Sequence, residues 1–596
     1  MIWNTCFIIS IAFLLLAIIC AVHAGKNYRG GRFFTPFNSL LTGVFLAVFT
    51  CMVPVFAGML EKDAGFVFKL CIYDILQTVQ VFTVNVGVDF ILDNINRSAT
   101  AISGVYSTYV SFLFFVAPIF TLGFIISLFK NVLAEISFRM HYRGDVYAFS
   151  ELSEKSLILA QSIRNDHKRA VIVFTDVNRD AEDSVSEFIE AAKQIRAIVF
   201  QKDIITVDFS RHSKSADLTF LLIGEKESDN ILLSLKILEM YNRRKNTNLF
   251  VFSTGSEGEL LLSNAEKGEI KVRRVNEIRA LIYRFLYEEG EALFKSAIKN
   301  SGMQKAINAV VIGLGKYGTE MMKALSWYCQ MDGYSIHIYG FDADENAEDR
   351  FSALCPELMS EKYNGVHIPG ESDYTIRIYS GVDVRTKTFA ELFTAISDVS
   401  FVFVCLGNDA ENINQSANIR MLSERIGNKP IIKTVVSSTE EKNALAGTTN
   451  YRGQNYGIEA IGDIETSYSE EILLGSELEH LALERHLKWG QEEEFWQYEY
   501  NYRSSMASAI HMKARIACGM AGAGKKEEDL TPEERDTIEL LEHRRWNTYM
   551  RSEGYVYSGS PNKSSRNDLA KMHHDLVDFE SLIEEDKRKD SSVGTF

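Results

Sequence analysis

Three glycines and one carboxylate have the spacing to hold a phosphorylated ligand. The apolar run Ala309-Val310-Val311-Ile312 leads into Gly313-Leu314-Gly315-Lys316-Tyr317-Gly318, then a helical stretch, then a second apolar run, Ser335 to Phe341, closed by Asp342. In a strand, turn and helix of this pattern the first glycine permits the tight turn, the second lets a pyrophosphate approach the backbone, and the third lets helix and strand pack closely. The helix N-terminus turns its free N–H groups on the phosphates. Asp342 stands where a carboxylate accepts hydrogen bonds from a ribose. Roughly 30 residues separate turn and acid instead of about 20, which a lengthened helix and loop through Trp327 to Gly333 accommodates. The expected ligand is NAD(H) or another adenine nucleotide, a signalling nucleotide included. A glycine turn that keeps the fold without the ligand is the alternative.

Other chemistries have little support. No Ser/His/Asp order, P-loop or HExxH occurs, and the eight cysteines form no CxxC pair, so neither a zinc site nor a disulfide scaffold is indicated. His573 and His574 are adjacent; on a helix they point apart and make a poor metal pair. No metal site and no catalytic residue is expected. A net charge of -16 argues against direct DNA or RNA binding, which needs a basic face.

At 596 residues the length suggests about four domains. Apolar residues concentrate at the start. Cys6 to Val22 is a continuous apolar run matching a bilayer, at about 20 residues, with Lys26, Arg29 and Arg32 behind it. A signal peptide carries its charge before the apolar core. An anchored helix with its N-terminus outside is therefore expected. Further spans follow, giving segments at about residues 3–24, 39–60 and 108–129, and Lys130, Arg139 and Arg143 place everything beyond in the cytoplasm. A multi-pass protein of the inner (plasma) membrane, in contact with membrane lipids, is the expectation. Segment 61–107 lies between the second and third spans and contains Thr83, Asn85, Gly87 and Asp89. Its place matches the re-entrant loop of two-helix cation channels, where carbonyls and acids replace an ion's water. Those four residues are the pore candidates; an amphipathic segment lying on the membrane is the alternative.

From Asp145 short apolar strands alternate with helical stretches, the signature of a doubly wound sheet. Val146–Phe149, Ala170–Thr175, Ala197–Phe200, Thr219–Ile223 and Asn248–Phe252 read as strands of a first Rossmann unit, residues 143–300. Its phosphate turn, Ser150 to Ser156, has no glycine, and Glu151 and Glu154 would repel a phosphate. The second unit, 301–457, contains the glycine turn and strands at Phe401–Leu406 and Pro430–Val436. The units look duplicated. Phe220 to Asn230 parallels Val402 to Asn412, each an apolar strand ending in glycine and acid, with an Asn where a helix N-cap is expected.

The GLGKYG turn, the FDAD strand end and LGNDAEN at 406–412 closely resemble the TrkA-N (RCK) domains that regulate potassium channels and transporters. The resemblance implies nucleotide-binding Rossmann folds assembled in pairs or rings, hence a homo-oligomer, dimer or tetramer. It assigns ligand contacts to Gly313, Gly315, Gly318 and Asp342, with Asn408 and Asp409 as further candidates.

A helical connector, 458–530, precedes a terminal segment, 531–596. Thr531, Pro532 and Glu534 predict an N-cap, first helical position and capping box. The helix carries Glu542-His543-Arg544-Arg545-Trp546 and continues to Gly554-Tyr555, and His573 to Leu582 follows. These blocks resemble the ryanodine-receptor (RyR) repeat domain, with Asp578 in place of the usual proline and Tyr555 of the usual Trp. The resemblance implies ligand sensing. Candidate contacts are His543, Arg544, Arg545 and Trp546, cations and a stacking face suited to a phosphorylated base; the alternative puts Trp546 in the core and the arginines on a solvated face.

The expected fold class is thus two tandem α/β Rossmann units with an α-helical transmembrane region and a mainly helical C-terminal domain. The expected function is a nucleotide-sensing, ligand-gated membrane protein, ion-channel-like or membrane-perturbing and suited to antiviral defence by second-messenger signalling. A component of potassium transport and a membrane-anchored NAD-dependent oxidoreductase are the alternatives.

Overall fold

The computed structural model describes all residues except 1, 27–35, 61, 99–100, 178–182, 264, 300–304, 360–361, 364–365, 368–373, 476, 521, 588–589 and 591–596. Arg29, Arg32 and the side chains of Lys26 and Lys130, on which the orientation reading draws, lie outside the described residues. The chain divides into two compact units, 1–136 and 137–596.

The first unit is helical: α1 (Ile2–Lys26), α2 (Pro36–Ala57), α3 (Phe66–Phe82), α4 (Val88–Ser98) and most of α5 (Ser103–Met140). Three segments, Ile2–Ala21, Ser39–Ala57 and Ser103–Leu122, are long and apolar enough to cross a membrane. Gly43 sets the approach of α1 and α2, because a Cβ there would lie 2.1 Å from the Ala17 Cβ. Polar side chains also bridge these helices. Ser10 donates to the Ala47 carbonyl at 2.8 Å and the Tyr106 hydroxyl to the Cys51 carbonyl at 2.9 Å. Within segment 61–107, residues 66–98 form a helical hairpin. α3 runs back along α2, with Tyr73 6.5 Å from Phe56 and Phe82 5.8 Å from Phe45 between ring centroids, and α4 returns after the turn at Thr83–Gly87.

The second unit contains two parallel six-stranded sheets. In the first, β1 (Val146–Phe149), β2 (Val171–Phe174), β3 (Ile198–Val199), β4 (Leu218–Leu222), β5 (Thr247–Phe252) and β6 (Ile270–Val275) are ordered 3-2-1-4-5-6. In the second, β7 (Lys305–Ile312), β8 (Tyr334–Phe341), β9 (Tyr374–Tyr379), β10 (Val399–Val404), β11 (Ile431–Val435) and β12 (Ile458–Ile461) repeat that order, and a short strand, Ile298–Lys299, adds antiparallel to β7. This is the strand order of the doubly wound dinucleotide-binding fold. The central strands are apolar throughout because helices cover both faces; Ile307 to Ile312 and Val399 to Val404 are entirely buried. The second sheet extends past residue 457, where the sequence pattern places its end, since Ile432 to Val435 pair in register with Ile458 to Ile461. A four-residue edge strand carries too little periodicity to be seen in the sequence.

The helices that matter for the sites are α6 (Glu154–Asp166), α7 (Glu227–Tyr241), α8 (Glu277–Glu289), α9 (Lys316–Tyr328), α10 (Asp409–Arg425), α11 (Glu477–His486), α12 (Glu499–Ala517) and α13 (Pro532–Ser552). Thr531 caps α13 in a capping box with Glu534, and Pro532 occupies its first turn. The C-terminal region is helical and packs on the second sheet's own helices: Trp327 of α9 lies 5.6 Å from Tyr283 of α8 and 6.0 Å from Tyr549 of α13, between ring centroids. Large aromatic area buried at this three-helix junction fixes α13.

Candidate functional site

The glycine turn sits at the C-terminal ends of β7 and β10, where the strand order reverses and such sheets open a crevice. Each glycine has its own physical reason. Gly313 has φ +89, and a Cβ there would stand 2.6 Å from the Cys405 carbonyl oxygen. At Gly318 a Cβ would lie 1.9 Å from the Gly313 oxygen, so only glycine lets α9 pack onto the turn. At Gly315 a Cβ meets nothing within 4 Å among the described residues. The fold therefore requires the first and third glycines, whereas the second borders open space where a ligand's phosphates would pass.

Asp342 is tied to the turn. One oxygen accepts from the Leu314 N–H at 2.6 Å and the other from the Asp344 N–H at 2.8 Å. Each oxygen keeps a second lone pair for a ribose hydroxyl. Asn408 and Asp409 hold loops: Asn408 caps α10 by accepting from the Glu411 N–H at 2.8 Å, and Asp409 accepts from the backbone N–H groups of Ser437 and Ser438, both at 2.9 Å. Asn230 and Asn412, expected as N-caps, lie inside their helices and bridge strand ends instead. Asn412 accepts from the Leu406 N–H at 2.5 Å and donates to the Val435 carbonyl at 2.8 Å; Asn230 joins Gly224 to Phe252 in the same way. The cause is that a buried amide supplies both a donor and an acceptor to adjacent strand ends.

The first unit's crevice is a cavity of about 410 Å³ lined by Glu151, Glu154, Glu225, Glu227 and Lys155 among others. Burial, with repulsion from Glu225, pushes the Glu151 carboxyl up to about 7. Ser153 caps α6 where the second unit has its glycine turn. The acid-rich wall suits no phosphate.

A larger cavity, about 750 Å³, lies in the C-terminal region. His543, Arg545 and Trp546 line it, while Arg544 is absent from the lining. His543 and Arg545 are buried; Nε2 of His543 lies 2.8 Å from the Val577 carbonyl and Nδ1 3.2 Å from Asp590, and Arg545 binds Glu542 at 2.7 Å. The helix assumed for His573 and His574 is not formed. His573 ends a short strand, and the two rings stack at 4.7 Å with 10° between planes, which brings ligand atoms of His573, His574 and Asp575 within 4.8 Å of one another. Sequence reasoning also missed Arg485, Lys488 and Tyr500, which come to this cavity from α11, its C-terminal side and α12. No local motif marks them.

At the end of α13, Glu553 joins four parts of the unit. Its carboxylate lies 3.0 Å from Arg279 of α8, 3.0 Å from Arg503 of α12 and 3.6 Å from Lys323 of α9. Arg279 and Lys323 also share Glu320, at 3.1 and 3.2 Å. Burial disfavours the charged carboxylate, but Arg279, Lys323 and Arg503 outweigh it and hold Glu553 well below the ordinary range.

In the helical unit, Thr83, Asn85, Gly87 and Asp89 are all exposed at the hairpin turn and the start of α4, and Thr83 donates to the Gln80 carbonyl at 3.2 Å. Among the described residues of the segment the buried acid is Asp74, fully enclosed, and neither its oxygens nor the Thr78 hydroxyl on the same helix face has a hydrogen-bond partner among the described residues. An ionisable group enclosed among apolar helices without a partner is costly.

No family model and no curated protein matches the chain. Among solved structures, that of a dipicolinate synthase subunit from Bacillus halodurans shares 11% identity over 56% of this chain and 96% of its own, with a TM-score of 0.19, a likeness too weak to assign fold or function.

Proposed function

We propose that the protein is a nucleotide-sensing membrane protein, in which an adenine nucleotide, NAD(H) or a signalling nucleotide, binds the second sheet's crevice and opens an ion path or perturbs the membrane. The observation that carries this reading is Gly315, the one glycine of the turn that its own fold leaves unobstructed, in a chain with three helices apolar enough to span a bilayer. The α3–α4 hairpin lying back along α2 supports a re-entrant element in preference to a surface helix. Within the second unit, the last turn of α5 packs on the first sheet's layer, Phe138 lying 5.4 Å from Phe209 and 5.3 Å from His212 between ring centroids. Binding shifts such a two-state assembly only by its differential affinity for the two states. In this reading the protein is a multi-pass inner-membrane homo-oligomer with residues beyond the third span in the cytoplasm, related to TrkA-N and RyR modules.

Flux from liposomes containing purified protein, measured with NAD, NADH, ATP and cyclic dinucleotides, tests it. Ligand-dependent flux that Gly315→Asp removes is the expected result; no flux with any of them refutes the gated-path reading. Turnover of NADH by the purified protein, lost in Gly315→Asp, would instead establish the oxidoreductase alternative.

A further inference from the structure

The terminal segment gathers three consecutive side chains that carry metal-binding atoms. Met572–His573 forms a short strand paired in parallel with Val556–Tyr557, and the His573 carbonyl accepts from the Ser558 N–H at 3.1 Å. The chain leaves this strand through a turn and enters no helix at His574 or Asp575. These residues are therefore not spread by the roughly 100° per residue that separates neighbours on a helix. The rings of His573 and His574 stack instead, 4.7 Å between centroids, and one ligand atom from each of His573, His574 and Asp575 lies within 4.8 Å of the other two. The expectation of no metal pair here rested on a helix that is not formed.

His574 supplies an independent observation. It is 6% exposed, and neither ring nitrogen makes a hydrogen bond among the described residues; the Asp575 carboxylate stands 3.3 Å from Nε2 without making one. A buried imidazole left in this condition is costly and calls for a partner. A proton on His574 answers one nitrogen only, through Asp575, and sets a positive ring face to face with a second imidazole. A metal ion engages both rings and the carboxylate together. The Asp575 N–H donates to Nδ1 of His573 at 3.1 Å, which marks that nitrogen as the unprotonated one. Trp546 meets the His573 ring edge-on, 5.0 Å between centroids. His573, His574 and Asp575 all line the cavity of about 750 Å³, so water reaches the positions that the protein leaves open.

We infer that His573, His574 and Asp575 bind a divalent transition-metal ion, with water from the cavity completing its coordination. Two imidazole nitrogens and one carboxylate oxygen are the protein ligands of open zinc and iron(II) sites. Nitrogen ligands favour such metals over magnesium and calcium, which prefer oxygen. Atoms bound to one zinc at about 2.1 Å stand about 3.4 Å apart in a tetrahedron, so ligands within 4.8 Å of one another close by about an ångström through side-chain rotation. Ligation at Nδ1 of His573 exchanges the Asp575 N–H bond for a metal bond. The inference goes beyond the sensor reading and does not rest on it, since no nucleotide and no residue of the glycine turn takes part.

The test uses full-length protein in detergent, purified without a histidine tag and stripped with a chelator. Zinc is titrated by calorimetry and cobalt(II) by its visible absorption, with magnesium and calcium as competitors. One zinc per chain should bind with micromolar or tighter affinity, undisturbed by millimolar magnesium or calcium, and cobalt should give the visible bands of a nitrogen-ligated ion. His574→Gln and the half-buried Asp575→Asn should each weaken zinc binding by about 100-fold or more, beyond the roughly 10–100-fold typical of a residue that only orients a ligand. Urea unfolding of the metal-free proteins checks that each variant folds, and zinc should raise the midpoint of the wild type alone. No zinc binding by folded wild type, displacement of zinc by magnesium, or unchanged binding in both variants overturns the inference. Zinc binding that follows the expected pattern without nucleotide-dependent flux sustains it and refutes the gating reading alone.

Discussion

Replacing Glu553 with glutamine isolates the junction that ties α13 to α8, α9 and α12. The exchange keeps the volume and removes a charge that three cations share. Arg279 and Lys323 retain Glu320 at 3.1 and 3.2 Å, and Arg503 retains Glu259 at 2.9 Å, so no cation is left alone. Breaking one partner out of a buried ionic set costs about 3–5 kcal/mol. The surviving contacts place Glu553→Gln near the lower end, about 3 kcal/mol. Acidification provides a second readout. Burial opposes ionisation of Glu320, but Arg279 and Lys323 prevail and lower it to about 2 from 4.5, and Glu553 is lowered for the same reason. For carboxylates lowered in the folded state, the stabilisation is complete above the unfolded value of 4.5 and is lost as pH falls through the folded values. Urea unfolding in detergent, followed through buried Trp327, should therefore show a lower midpoint for the variant at pH 7 and a shallower loss between pH 4.5 and about 2. A difference below about 0.5 kcal/mol at pH 7, the range of ordinary surface changes, would refute the assignment of Glu553 as the junction.

Gly315→Asp should leave the unfolding midpoint unchanged while abolishing nucleotide binding to the crevice, whereas Gly318→Ala, pressed onto the Gly313 oxygen, should lower stability by about 1–3 kcal/mol; calorimetry and urea unfolding of the two variants check this contrast. His511, fully buried with Nε2 2.6 Å from the Gln330 carbonyl, is lowered by burial and by Arg515 to about 3 from 6.5. The unfolded chain alone takes up this proton, so stability should decline from pH 6.5 toward about 3 at up to about 1.4 kcal/mol per unit, and His511→Gln should flatten that slope. Asp74→Asn should reduce nucleotide-dependent flux more than Asp89→Asn, because Asp74 is the enclosed acid and Asp89 the exposed one; equal flux from wild type and Asp74→Asn would remove Asp74 from the path.

Local pattern determined a good deal. Continuous apolar runs dictate helices long enough for a bilayer, short apolar runs between polar turns dictate the central strands, and Thr531-Pro532-Glu533-Glu534 dictates the start of α13. These signals are legible because each depends on neighbours within a few residues. The glycine turn was equally legible in its fold requirement, since close packing at Gly313 and Gly318 is a backbone property. The tertiary structure decided everything that depends on distant partners. It made Asn412 a bridge, stacked His573 on His574, enclosed Asp74 while leaving Asp89 exposed, and set Arg485, Arg515 and Arg545 around one glutamate. Burial and charge balance arise from segments far apart in the chain, and those are the quantities that turn a row of arginines into either a solvated face or a binding site.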